Sequence, residues 1–467
     1  MTRKFKIIVS DLHMGAGFAP DNPLEDFITD AEFADFVSGV VAESDAEAMD
    51  VELIVNGDMI EFLQVPATDT FCPTTAYPPE MYRSTSEQSS AKKMALVIAG
   101  HPIVFDALCD FVHPAQPRRN ITIIKGNHDV NLYWGVVQDL IRQAVGATGE
   151  RQDLLAFEAR QVSREGIYVE HGNQYTGAYS RFDNFDEPLD PERAGELEIP
   201  LSSAVAIDCL NDLERAKWWV DAVKPIATLI CYCFAVDFCF TAEVLANLLR
   251  VAPGIIWDSF ADEGEAGARV QMDELRRQLK DETELSAMAE RYTTDDGFRR
   301  EFDARVLWAL DTVGMAPESS QSPAGGETEA KAQDVVDLAN VALRQVAQAK
   351  ITETGARVVV FGHTHSVLCE RLDGGVHVNT GTWVWWRDIA GMDLETWKEF
   401  YAHPEDFCQP HYLIYARVDY DGSGRPSVRV FDYTGQLIVE CPKPRWTFLA
   451  WLIELWAKIV AVFTGGK

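Results

Sequence analysis

Short runs of apolar, β-branched residues punctuate the chain, each followed by polar residues or glycine. They lie at Ile7–Val9, Leu53–Val55, Ile121–Ile124, Ile167–Val169, Val358–Phe361 and Val376–Val378. Continuous apolar runs of this length, bounded by turn residues, predict strands buried on at least one face. Helical stretches lie between the first of them, at Ala31–Ala42 and Ala95–Val112. After Gln409, the runs Tyr412–Val418, Val428–Tyr433 and Leu437–Glu440 predict three more strands, the first two separated by the turn Asp421-Gly422-Ser423-Gly424-Arg425-Pro426. Alternating helix and strand patterns make an α/β class the expectation.

Two segments interrupt this rhythm. Residues 64–94 are rich in Pro, Thr and Ser and predict a surface loop. Residues 176–350 predict a large, mostly helical insertion, leaving 1–175 and 351–445 as the core. Within the insertion, Ile226–Val236 is apolar, but Asp237, Glu243 and Arg250 follow. A membrane span needs roughly 20 apolar residues, so a buried helical hairpin over Ile226–Val251 is expected instead. The C-terminal stretch 446–467 predicts a hydrophobic helix, Trp446–Phe463, in which Thr447, Glu454 and Lys458 share one narrow stripe. A helix apolar nearly all round is buried somewhere. It docks on the insertion, forms a dimer seam, or lies in a membrane interface with Lys443 and Arg445 at its edge.

Charge narrows the function classes. The formal net charge is −32, from 73 acidic and 41 basic residues. Such a surface repels polyanions, and no basic run offers a groove for them, so nucleic acid is not an expected partner. The nine cysteines form no CxxC pair. They suggest a reducing compartment with no disulfide framework. The N-terminus has only a three-residue apolar run before Asp11, which fits no signal peptide. A cytoplasmic protein is expected, with a peripheral position at the inner face of the membrane as the alternative.

Five motifs follow strand-like runs in chain order: Asp11-Leu12-His13, Gly57-Asp58-Met59-Ile60-Glu61, Gly126-Asn127-His128-Asp129, His171-Gly172 and Gly362-His363-Thr364-His365. Loops at strand carboxyl ends are where α/β proteins gather ligands. Five of the ten histidines lie in these motifs, whereas His101, His113, His377, His403 and His411 have no comparable company. Alternation along extended backbone would put Asp11 and His13 on one side, where a carboxylate and an imidazole can hold one metal. His363 and His365 repeat the device. Glycines before Asp58, Asn127 and His363 permit tight turns, and a carboxylate such as Asp58 can bridge two cations. Mixed nitrogen and oxygen ligands suit manganese, with iron or zinc as alternatives, and the absence of cysteine argues against a structural zinc site. Singly these dipeptides are ordinary turns; jointly, in one order, they predict a metal centre. Two metals roughly 3.5–4 Å apart clamp a phosphoryl group and lower the pKa of a shared water, and a nearby histidine can protonate the leaving oxygen.

This motif set resembles that of the calcineurin-like metallophosphoesterase superfamily, whose signature is DxH, GDxx(D/E), GNH(D/E), H and GHxH. The match covers about residues 5–175 and 355–385. It implies an αββα four-layer sandwich with a bimetal site at one end. By resemblance, Asp11, His13, Asp58 and His365 would hold one divalent metal. Asp58, Asn127, His171 and His363 would hold the other, with Asp58 bridging. His128 would act as general acid and Glu61 would orient it, with Asp129 as a rival for that role or a turn-stabilising carboxylate. Asn379-Thr380-Gly381-Thr382 resembles the family's NxGS turn and is expected to back the Gly362–His365 loop. Trp383, Trp385 and Trp386 are expected to pack in the core, with an aromatic wall near the substrate as the alternative. The stretch Gly57–Gln64 is similar to that of UDP-diacylglucosamine pyrophosphatases, which carry a helical cap between the fourth and fifth motifs. Ile226–Val251 would then be an acyl-binding cap. Two departures are His128, where those enzymes typically carry Arg, and the greater length of the insertion. The expected substrate is thus a phosphoester or pyrophosphate, lipid-linked on one reading. On the other the chain is a soluble nucleotide or small-molecule phosphodiesterase or phosphatase. A nuclease and a non-catalytic scaffold are the less favoured alternatives.

Overall fold

The strand-like runs pair into two mixed sheets. The computed structural model describes residues 3–439 and Cys441, apart from 115, 178–179, 221, 225, 252–264, 313–333, 390–391 and 408–412. Its strands are β1 (Lys4–Val9), β2 (Asp50–Asn56), β3 (Arg119–Ile124), β4 (Leu155–Glu158), β5 (Gln161–Arg164), β6 (Ile167–Glu170), β7 (Val223–Lys224), β8 (Val358–Phe361), β9 (Val367–Leu372), β10 (Gly375–Thr380), β11 (Arg387–Asp388), β12 (Ile414–Tyr420), β13 (Pro426–Asp432) and β14 (Leu437–Val439). A seven-stranded sheet runs β14-β13-β12-β1-β2-β3-β4 and a five-stranded sheet runs β5-β6-β8-β10-β9. β1 to β4 are parallel to one another, as are β6, β8 and β10. Parallel central strands are covered on both faces, which is why they read as unbroken apolar runs.

The two-residue period of a strand divides these side chains between two cores. Phe5, Ile7, Val9, Leu53, Val55, Ile121 and Ile123 pack with the helices Asp30–Glu47, Glu87–Gly100, Pro102–Val112 and Gly135–Val145. Ile8, Ile54 and Ile124 face the other way, into a cluster with Val162, Val169, Val360 and Val378 of the second sheet. Tyr168, Val359 and Phe361 pack on Leu343, Ala347 and Ile351 of the helix Asp334–Thr354.

Four expectations are corrected. The stretch Ala95–Val112 is not one helix but parts of two, Glu87–Gly100 and Pro102–Val112, meeting at 87°. Pro102 cannot continue the first helix but suits the first turn of the second. The predicted loop over 64–94 ends at Ser86, whose side chain caps Glu87–Gly100, and it holds a short helix at Pro79–Arg83. The strands β4, β5 and β9 are not among the expected runs; apart from Leu155 and Val162 their side chains are half-buried or exposed.

The fourth correction concerns cysteine. Cys369 on β9 and Cys441 beyond β14 form a disulfide. Each sits at or just past the outer strand of its sheet, so the bond joins the two sheets along one edge. The partners are 72 residues apart in sequence, and spacing alone could not pair them. Closing a loop of that length is worth about 4 kcal/mol in the chain-entropy view. Denaturant unfolding of Cys369→Ser is therefore expected to show that loss relative to the oxidised wild type, and reduction of the wild type should reproduce it. Equal midpoints for all three would show that the two sulfurs are not linked.

The insertion has its own core. Ile226–Val236 and Phe238–Val251 form the expected buried hairpin, broken at Asp237, whose carboxylate accepts from the Phe240 N–H at 3.2 Å. Its side chains pack with Leu275, Tyr292, Phe302 and Val306. Trp385, Trp397 and Phe400 join that cluster, whereas Trp383 packs on Phe33 and Phe36 and donates to Ile414 O of β12, so Trp383 and Trp385 are packing residues. Among the described residues no single helix is long and apolar enough to cross a membrane. The stretch Trp446–Phe463 lies outside the described residues.

Candidate metal centre

β1, β2 and β3 lie side by side in one sheet, and β6 and β8 in the other, so the loops after them open at the same end of the molecule. The first two loops prolong the β1–β2 pairing beyond the strands. Asp11 N–H donates to Gly57 O at 3.1 Å, His13 N–H to Asp58 O at 2.9 Å and Met14 N–H to Met59 O at 3.0 Å. Between the sheets, Asn56 Nδ2 donates to Glu170 O at 3.0 Å, and within the five-stranded sheet Gly362 N–H donates to His171 O at 2.9 Å, prolonging the β6–β8 pairing.

The backbone here departs from the extended alternation expected of Asp11-Leu12-His13. Asp11, His13, Asp58, His363 and His365 all have left-handed φ, between 49° and 69°. Each such residue costs about 1–3 kcal/mol and persists only where surrounding contacts over-determine it. Ladder hydrogen bonds supply those contacts at Asp11 and His13. At His363 the backbone N–H donates to both oxygens of Asp11, each at 3.1 Å. The glycines serve as expected. A Cβ on Gly126 would lie 2.2 Å from Asp58 Oδ1, and one on Gly362 would lie 2.6 Å from Asp11 Oδ2.

Six of the seven predicted ligands gather in this one place, and the seventh, Asn127, lies on the turn whose next residue, His128, donates its N–H to Asp58. Asp11, His13 and His365 form one donor group and Asp58, His171 and His363 a second, with the donor atoms in each within 4.8 Å of one another. His365 Nε2 lies 3.3 Å from Asp11 Oδ1 and 3.2 Å from His13 Nε2. His171 Nε2 lies 2.9 Å from Asp58 Oδ2, and His13 Nε2 lies 3.9 Å from the same oxygen. Asp58 thus stands between the groups. His171 Nδ1 donates to Asn56 O at 2.9 Å, which fixes the ring with Nε2 turned toward Asp58. Asn127 Oδ1 is buried without a hydrogen-bond partner. Buried polar atoms are seldom left so. Oxygen and imidazole donors converging on one spot, with a buried amide oxygen left unpaired beside them, fit a divalent cation.

His128 lies at the rim, 27% exposed, with its ring edge-on to His13 at 4.7 Å. It also belongs to a third donor group with His13 and Asp58. Glu61 is placed as the resemblance implied: its Oε2 lies 2.5 Å from His128 Nδ1 and 2.7 Å from His13 Nδ1. Asp129 instead accepts from the N–H groups of Gly126 at 2.5 Å and Met59 at 2.8 Å, clamping the turn. Burial opposes charge on both members of the Glu61–His128 pair, yet each partner overcomes it. Glu61 is drawn down to about 2, and His128 is pushed up to about 9. Burial, with the negative charge of Asp58 beside it, raises Asp129 to about 7. Burial and the neighbouring His171 bring His363 down to about 3, the neutral form a metal ligand needs.

The turn after β10 backs the fifth motif. Asn379 Nδ2 donates to Gly362 O at 2.8 Å and lies 2.9 Å from Thr364 Oγ1, and Thr382 Oγ1 donates to Asp11 O at 2.9 Å. Sequence reasoning missed a second support. His101 is buried against Glu25 and Asp30, which overcome the cost of burial and push it up to about 9. Glu25 also accepts from the N–H groups of Gly15 and Gly17, just beyond the first motif. No spacing rule links His101 to Glu25; helix packing brings them together. Neither a comparison with protein-family models nor a search of curated proteins gives a match for this chain.

Proposed function

We propose that the protein is a two-metal hydrolase of phosphate esters or anhydrides, its two sheets and flanking helices forming an αββα four-layer sandwich. The observation that carries this reading is the pair of donor groups, Asp11/His13/His365 and Asp58/His171/His363, meeting at Asp58 with an imidazole at the rim. Asp11, His13, Asp58 and His365 would hold one divalent ion and Asp58, Asn127, His171 and His363 the other, manganese first and iron or zinc as alternatives. Bound there, such ions would supply Lewis acidity toward a phosphoryl oxygen and acidify a water. The chain contributes the rest. Glu61 fixes His128 through Nδ1, leaving Nε2 free to give a proton to the leaving oxygen. The same carboxylate orients His13.

The hairpin Ile226–Val251 packs apolar side chains against the rest of the insertion and against Trp397 and Phe400, which favours a soluble phosphodiester or nucleotide over a lipid-linked substrate. The charge of −32 disfavours nucleic acid. A hydrolysis panel in manganese tests the proposal by comparing a monoester, a diester, a nucleotide anhydride and a lipid-linked pyrophosphate. The diester or the anhydride is expected to turn over fastest. Tight metal binding without turnover of any member would mark a non-catalytic scaffold.

A further inference from the structure

One route from the insertion to the metal centre runs through a single residue of the second-motif loop, Leu63. Its helix Leu201–Val205 passes through a π-turn, Ala206–Leu210, into the helix Asn211–Ala216. This segment lies on the loop that carries the second motif. Ile207 packs with Leu63, Leu24 and Tyr82, and Gln64 Nε2 donates to Glu214 Oε2 at 2.6 Å. Asn211, 2% exposed, donates from Nδ2 to Leu63 O at 2.9 Å. The backbone N–H of Leu63 in turn donates to Glu61 Oε1 at 3.1 Å. Glu61 Oε2 is the oxygen shared by His13 and His128.

We infer that Asn211 is a positioning residue of the metal centre. It holds the Leu63 segment, whose N–H holds Glu61, and Glu61 aims the ring of a candidate ligand and the ring of the candidate acid. The insertion is then a working part of the site and not only a cover over it. Each link is buried, where hydrogen bonds strengthen one another and a lost donor leaves its acceptor without water. This inference rests on the proposed two-metal site, and its test separates the two.

The full chain is titrated with Mn2+ by calorimetry and assayed with bis(p-nitrophenyl) phosphate. Removal of an outer support of this kind typically costs 10–100-fold in metal affinity or activity. Asn211→Leu is expected to weaken Mn2+ binding and lower kcat by about tenfold each, at the low end of that range, with KM nearly unchanged. Asn211→Ser keeps a hydroxyl donor and should recover much of both. In a Glu61→Gln background Asn211→Leu should add no further loss, because both changes break one chain of contacts. Additive losses, an unchanged Mn2+ affinity, or a serine variant as impaired as the leucine variant would overturn the inference. If the leucine variant does not fold, Asn211→Ser against Asn211→Ala makes the same comparison. Wild-type protein that binds Mn2+ but hydrolyses nothing would refute the proposed activity and leave the titration to decide the role of Asn211. Wild-type protein that binds no Mn2+ would refute both.

Discussion

Asp58→Asn is expected to release metal and extinguish turnover together. The substitution is nearly isosteric, so the fold should survive. It replaces an anionic bridge with a neutral amide at the point where the two donor groups meet. Oδ2 lies 2.9 Å from His171 Nε2 and 3.9 Å from His13 Nε2, while Oδ1 accepts the His128 N–H at 2.8 Å. Burial penalises the Asp58 charge, but His171 and His128 hold its carboxyl well below the usual range, so it is ionised and available to cations. Elemental analysis should fall from roughly two ions per chain to one or fewer. A loss of about 4 kcal/mol in transition-state stabilisation corresponds to roughly a thousandfold in kcat/KM. A variant that stays fully active would end the bridging assignment.

His128→Ala should separate what Asp58→Asn loses together. If His128 protonates the leaving group, the variant keeps its metal and loses about 10²- to 10³-fold in kcat. The loss should shrink for p-nitrophenyl esters, whose leaving oxygen needs little protonation, and grow for alkyl esters. The geometry permits a rival role, since His128 also falls within a donor group with His13 and Asp58. Were it a ligand, metal content and activity would fall in parallel and the leaving group would not matter. Measuring both quantities on two esters therefore distinguishes the roles.

The candidate site was largely legible in the sequence because its chemistry sits in short local patterns. An apolar run followed by one or two ligands recurs five times, four times with an adjoining glycine, and each recurrence marks the end of a parallel strand. The backbone of those ligands was not legible: Asp11 and His13 reach the site through left-handed kinks, which Asp and His tolerate better than most residues but which no turn pattern in the tripeptide calls for. Long-range pairings were equally silent. Asn211 meets the Leu63 carbonyl across 148 residues and Cys369 meets Cys441 across 72, and both depend on how helices and sheets dock. β5 and β9 are surface-facing strands, so their mixed polarity hid them from an apolar-run criterion. His101 carried no signature because its partners Glu25 and Asp30 arrive from another helix and its leading loop.

The donors are drawn from both halves of the strand framework. Asp11, His13, Asp58 and Asn127 follow strands of the seven-stranded sheet, while His171, His363 and His365 follow strands of the five-stranded one. Cations seated among them would act as rivets across a seam that apolar packing alone would otherwise close. Ligand spacing and inter-sheet alignment would then be one mechanical variable. Slippage between the halves would blunt the chemistry long before the molecule came apart, and the Cys369–Cys441 staple on the edge would guard against that slippage.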